Sequence, residues 1–281
     1  MNNTKIEWCD ATWNPVTGCL HGCEYCYARK IANRFGTIDK AIESAAEEGI
    51  SLDRAYFRNP DYFSELNEPV RDENDRIEPY PTNFYPTLHR YRLDEPQKKT
   101  KPRTIFVCSM ADLFGDWVPD EWIEQVFEAC AKAPQHRYLF LTKNPKRYVK
   151  LYEADKLPLE INMWYGASVT TSEQAEETAK HFGKLPASPN RANTFLSVEP
   201  MLFDITKHNA WQLLCRGWYT NWIIVGAETG NRKSKVVPQK EWIDSIVADC
   251  ADYGIPVFMK DSLVPVVGEE NMRREFPWET T

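Results

Sequence analysis

Six short apolar runs, each ending at or beside a polar residue, recur after residue 100. They are RTIFVCS (Arg103 to Ser109), YLFLTK (Tyr138 to Lys143), MWYGASV (Met163 to Val169), TFLSVEP (Thr194 to Pro200), WIIVGAETG (Trp222 to Gly230) and PVFMKD (Pro256 to Asp261). Unbroken apolar runs of this length suit parallel strands buried on both faces. Helical patterns lie between several of them. Pro119 to Ala133 sets Trp122, Val126 and Ala129 on one face behind a proline and two acids. Thr171 to Phe182 opens with Ser172 as the capping residue, and Pro238 to Gly254 carries Trp242, Ile246 and Cys250 in helical register before a glycine stop. Strand–helix alternation with short links implies an α/β fold with a parallel sheet and right-handed crossovers.

Two more segments, Ala11 to Gly18 and Asn83 to Tyr91, can supply further strands. The expectation is therefore one domain over residues 1–281: a parallel (βα)6–8 TIM-like barrel, complete or partly open. A loop-rich insertion over about 37–102 follows the first βα unit. It holds a helix candidate at Ile38 to Gly49, then a Pro-, Asn-, Asp- and Tyr-rich stretch. Long structured loops of this kind serve as lids or substrate-binding elements. Sites in such barrels form at the C-terminal strand ends. That brings Ser109, Asp112, Thr142, Lys143, Ser168, Ser197, Glu199, Glu228, Lys260 and Asp261 toward one mouth.

The formal net charge of -7 disfavours non-specific nucleic-acid binding. Local basic clusters run against it at Gln97 to Arg103, Lys143 to Lys150 and Asn231 to Lys235; solvated loops account for them equally well. The N-terminus lacks a basic patch followed by an apolar run, and no stretch of about 18 apolar residues occurs. With eight cysteines and no export signal, the expected setting is a reducing cytoplasm, where clustered cysteines bind metal more often than they pair.

Three of those cysteines crowd one polar, glycine-bounded loop: TGCLHGCEYCYARK, with spacing Cys19-x3-Cys23-x2-Cys26. Three thiolates leave one position of a four-ligand site unfilled. Zinc would take a fourth ligand from His21 or Cys9. A four-iron cluster would keep one iron open for a small ligand. Cys108, Cys130, Cys215 and Cys250 fall in strand or helix patterns and suit small buried apolar roles. Cys108, at a strand end, could also donate hydrogen to a radical.

The x3, x2 spacing resembles the signature of the radical S-adenosylmethionine (radical SAM) superfamily, with Tyr25 in the aromatic place before the last cysteine. GCEYCYA is similar to the corresponding loop of spore photoproduct lyase. The set TWNPVTGC, CSMADLF, LTKNPKR, SVEPML, VGAETG and VFMKD resembles a phage- and prophage-associated family of radical-SAM-like proteins over most of the chain. That resemblance implies a 4Fe–4S cluster held by Cys19, Cys23 and Cys26. It implies S-adenosylmethionine as cofactor, cleaved to a 5′-deoxyadenosyl radical that abstracts hydrogen from substrate.

By the same resemblance, backbone around Tyr25 contacts the adenine. Ser109 and Asp112 stand where the family has a Gly-Gly-Glu-like strand end, a tripeptide this sequence lacks. Ser168, Ser197, Glu199 and Lys143 would reach the ribose and carboxylate, and Glu228, Lys260 and Cys108 the substrate or the reacting centre. A flavodoxin or ferredoxin would donate the electron, and no membrane is implied. For substrate, a nucleic acid or nucleobase fits the lyase-like loop and the KNPKR cluster. Tyr56, Phe57, Tyr62, Phe63, Tyr80, Phe84 and Tyr85 of the insertion could stack on its bases. A small molecule or peptide is the alternative, and a zinc-stapled, non-enzymatic binding module the third.

Overall fold

The computed structural model describes residues 1–36, 64–186, 192–216, 219–230 and 232–279. The helix candidate at Ile38 to Gly49 and the aromatics Tyr56, Phe57, Tyr62 and Phe63 lie outside the described residues. The chain divides into two compact units, residues 1–3 with 11–136 and residues 4–10 with 137–281.

The first unit contains β1 (Asn2–Asn3), β2 (Ala11–Trp13), β3 (Val16–Thr17), α1 (Tyr27–Phe35), β4 (Ser64–Leu66), β5 (Thr87–His89), β6 (Thr104–Val107) and α2 (Asp120–Ala131). β2 runs parallel to β6 and antiparallel to the short β1. The segment Ala11 to Gly18, expected as one strand, is split. Pro15 has no N–H to give a ladder, and beyond it β3 pairs antiparallel with β5, which also pairs parallel with β4. Asn83 to Tyr91 therefore supplies no strand to the parallel sheet. Pro86 and the left-handed Asn83 (φ 52°) confine its extended part to β5, in this separate three-stranded sheet. Helix α2 buries Trp122, Ile123, Val126 and Phe127. The Trp122 indole N–H donates to Glu65 Oε1 of β4 at 2.7 Å, tying that sheet to the helix.

The second unit contains β7 (Arg137–Thr142), α3 (Lys146–Glu153), β8 (Met163–Ser168), α4 (Ser172–Phe182), β9 (Asn193–Val198), α5 (Asn209–Arg216), β10 (Ile223–Val225), α6 (Lys240–Asp252), β11 (Val257–Met259) and the short α7 (Val264–Val267). Its five strands are all parallel and neighbour one another in chain order. This is the βα alternation the apolar runs predict. The start of α4 differs by one residue. Thr171, not Ser172, is the cap, its hydroxyl accepting from the Gln174 N–H at 3.3 Å.

The core of this unit is aromatic. Trp222 is fully buried among Trp8, Phe195, Phe258, Phe276 and Trp278, with ring centroids 5.2–6.4 Å away. Gly166 of β8 leaves room for that cluster, since a Cβ there would lie 2.3 Å from the Phe195 ring.

Candidate functional site

The cysteine loop joins β3 to α1, and the first unit holds it at several points. Gly18 donates its N–H to the Met110 carbonyl at 2.9 Å, and Cys19 donates to the Phe84 carbonyl at 3.2 Å. Gly18 has φ 90°, and a Cβ there would stand 2.1 Å from the Tyr85 carbonyl oxygen, so only glycine lets the two chains approach. Cys26 is the N-cap of α1, its Sγ accepting from the Arg29 N–H at 3.4 Å. The three cysteines are half-buried rather than sunk in the core. Cys19 and Cys26 pack on the cluster of Ala28, Ala32, Phe84 and Met110. Burial first, then the Asp112 carboxylate and the neighbouring Cys26 and Cys23 thiols, pushes the Cys19 thiol up to about 12.

Between the cysteines, His21 is clamped. Its Nε2 lies 2.6 Å from Asp112 Oδ2, and its ring meets Trp117 edge-on at 4.8 Å. Asp112 is buried, and its Oδ1 accepts the Phe114 N–H at 3.0 Å. Asn14 Oδ1 accepts from the Ser109 hydroxyl at 3.1 Å and the Met110 N–H at 3.0 Å, while the Tyr27 hydroxyl donates to the Ser109 carbonyl at 3.0 Å. Asp112, Ser109 and Tyr25 thus belong to the same unit as the three thiols. Cys108 does too, but its buried thiol is pushed up to about 12 by desolvation and lies near Cys130 of α2. His21 binds Asp112, and Asn14 and Tyr27 both bind Ser109. Only His21 was marked by the sequence, as a metal ligand rather than as the partner of Asp112.

Among the described residues, no three His, Cys, Asp or Glu side chains gather as ligands of one ion. Three thiols on one short loop are a donor set that a four-iron cluster with one open iron could use. Cys9, the other suggested zinc ligand, lies in the second unit.

The remaining candidates occupy strand ends of the second unit. Ser168 and Ser197 are register partners on β8 and β9, both buried. Glu199 forms an ion pair with Lys260, and the two side chains lie over Gly226, where a Cβ would sit 3.1 Å from each. Glu228 is buried and receives Arg232 in bidentate fashion, Nε and Nη2 each 2.7 Å from a carboxylate oxygen. That contact holds its carboxyl below the usual range. Lys143 is half-exposed just beyond β7.

A polar chain runs from the buried Thr17 and His89 to the half-buried Tyr91 and Arg92. Thr17 Oγ1 is 2.9 Å from His89 Nε2, and His89 Nδ1 is 3.2 Å from the Tyr91 hydroxyl, which accepts from Arg92 Nη2 at 3.0 Å. Burial, then the Arg92 charge, lowers His89 to about 3 from 6.5. The unfolded chain therefore binds a proton between those values that the folded chain does not. Stability is expected to be full above about pH 6.5 and to fall as pH drops toward 3, by on the order of 4 kcal/mol. Denaturant unfolding as a function of pH, compared with His89→Gln, measures this. The variant should show a flatter profile over that window.

The model of a family described as Protein of unknown function (DUF5131) matches residues 3–264. No curated protein matches the chain. Among solved structures, a cysteine-to-serine mutant of spore photoproduct lyase is similar with a TM-score of 0.50 at 11% identity, covering 92% of this chain and 79% of that one. The lyase complexed with dinucleoside spore photoproduct gives 0.43 at 10% identity, over 89% and 98% of the two chains. The first of these is a likeness of fold.

Proposed function

The chain belongs to the family described as Protein of unknown function (DUF5131), and we propose that it is a radical S-adenosylmethionine enzyme acting on a nucleic acid or nucleobase. The observation that carries this reading is the half-exposed trio Cys19, Cys23 and Cys26 on one strand-to-helix loop, where the Cys26 and Cys23 thiols act electrostatically on Cys19. The fold shared with spore photoproduct lyase supports it.

The three cysteines would hold a 4Fe–4S cluster. With S-adenosylmethionine bound, that cluster supplies one-electron chemistry able to activate an unreactive C–H bond. The chain's own part is to fix the loop and limit solvent. Gly18 locks the loop to Tyr85, the Asp112–His21 contact pins its middle, and the Arg29 N–H supports the Cys26 sulfur. Hydrogen bonds to ligating sulfur are one lever on cluster potential. The reading also requires a low-potential electron donor such as a flavodoxin or ferredoxin.

Reconstituted anaerobically with iron and sulfide, the protein is expected to turn brown with about four irons per chain. A colourless product holding a single zinc would overturn the reading. The nucleic-acid part has its own test. Lys143 is half-exposed and Lys146 exposed, whereas Arg147 of the same cluster is buried and poorly placed for phosphate. Single-stranded DNA binding should weaken steeply with salt, and Lys143→Ala with Lys146→Ala should lower the slope by roughly 1–2. No binding at low salt would reject a nucleic-acid substrate and leave the cluster assignment standing.

A further inference from the structure

We propose that a cavity in the first unit is a nucleotide subsite that selects a base bearing ring carbonyl oxygens. This rests on the nucleic-acid reading above and names the base it would hold. The cavity has a volume of about 270 Å³, enough for a nucleoside-sized ligand. Met110 and Tyr80 line it and also belong to the packing around Cys19 and Cys26, so its occupant would sit one side chain away from the thiols.

The walls present donors. Asn14 lines the cavity, and its Oδ1 already accepts two protons from Ser109 and Met110, which leaves its Nδ2 protons for a ligand. The Tyr91 hydroxyl accepts from Arg92 and lies 3.2 Å from His89 Nδ1. His89 Nε2 in turn lies 2.9 Å from Thr17 Oγ1. Thr17 too is a wall residue. Arg92 adds a cation, while the Glu95 carboxylate on the same wall is paired with the N-terminal ammonium.

A donor-rich pocket takes a ligand with acceptors, such as the carbonyls of a uracil-like ring and a phosphate near Arg92. Tyr80 is an aromatic wall residue, while the Tyr91 ring already carries the Arg92 guanidinium 5.2 Å from its centroid. S-adenosylmethionine suits the cavity poorly. Its adenine has no ring carbonyl, and its sulfonium would face the Arg92 charge.

The test uses the anaerobically loaded holoprotein and equilibrium dialysis with uridine 5′-monophosphate, adenosine 5′-monophosphate and ribose 5-phosphate. Uridine monophosphate is expected to bind at least about tenfold more tightly than the other two. Thr12→Phe, which fills the cavity from β2, should weaken that binding at least about tenfold with the brown colour retained. Ile77→Trp, at an exposed wall position, does the same from the rim and serves if the first variant misfolds. Equal affinity for the three probes, undiminished binding in a folded filled variant, or displacement of uridine monophosphate by S-adenosylmethionine would each overturn the subsite. In all three cases an intact brown cluster leaves the enzyme reading in place. A protein that never takes up iron rejects that reading instead.

Discussion

Cys23→Ala protein, offered iron and sulfide without oxygen, is expected to stay colourless and to cleave no S-adenosylmethionine. A three-thiolate cluster site has no spare ligand, and the loss of one leaves two irons without protein sulfur. The change should be silent in the fold. Cys23 is half-buried at the loop surface and caps no helix, unlike Cys26. Unfolding free energy should therefore stay within about 0.5 kcal/mol of the parent apoprotein, as for other surface substitutions. Cys130→Ala is the informative control. Cys130 is fully buried in α2, so its loss costs stability but leaves iron uptake unchanged. Parent-level iron content and cofactor cleavage in Cys23→Ala would refute the assignment of the loop.

Trp222→Ala should be the most damaging substitution for the second unit, at about 3–5 kcal/mol in urea unfolding. Trp222 begins the run that forms β10 and is fully buried. Five aromatic rings surround it, and its indole N–H donates to the Glu275 carbonyl at 2.9 Å. Truncation leaves a cavity that rigid rings cannot collapse into, and it removes the indole donor from the Glu275 carbonyl. A loss below about 1 kcal/mol would mean the aromatic cluster is not the core of this unit.

Parallel strands were readable because their side chains are apolar on both faces. β7 to β11 each fall inside an apolar run, displaced by a residue or two at the ends. The apolar pattern and the strands part where a proline breaks the ladder. The TWNP segment looks like one strand, yet Pro15 hands its second half to another sheet, and Pro86 does the same work before β5. No described helix is long and apolar enough to cross a membrane.

By itself the sequence determined the α/β alternation and the spacing of three thiols, because both are local properties of consecutive residues. Tertiary structure alone decided which partners meet. Asp112 reaches His21 from 91 residues away, Lys260 finds Glu199 across 61, and His89 joins Thr17 across 72. No periodicity records such pairs. They arise because buried polar groups need partners, and packing selects which distant group supplies one.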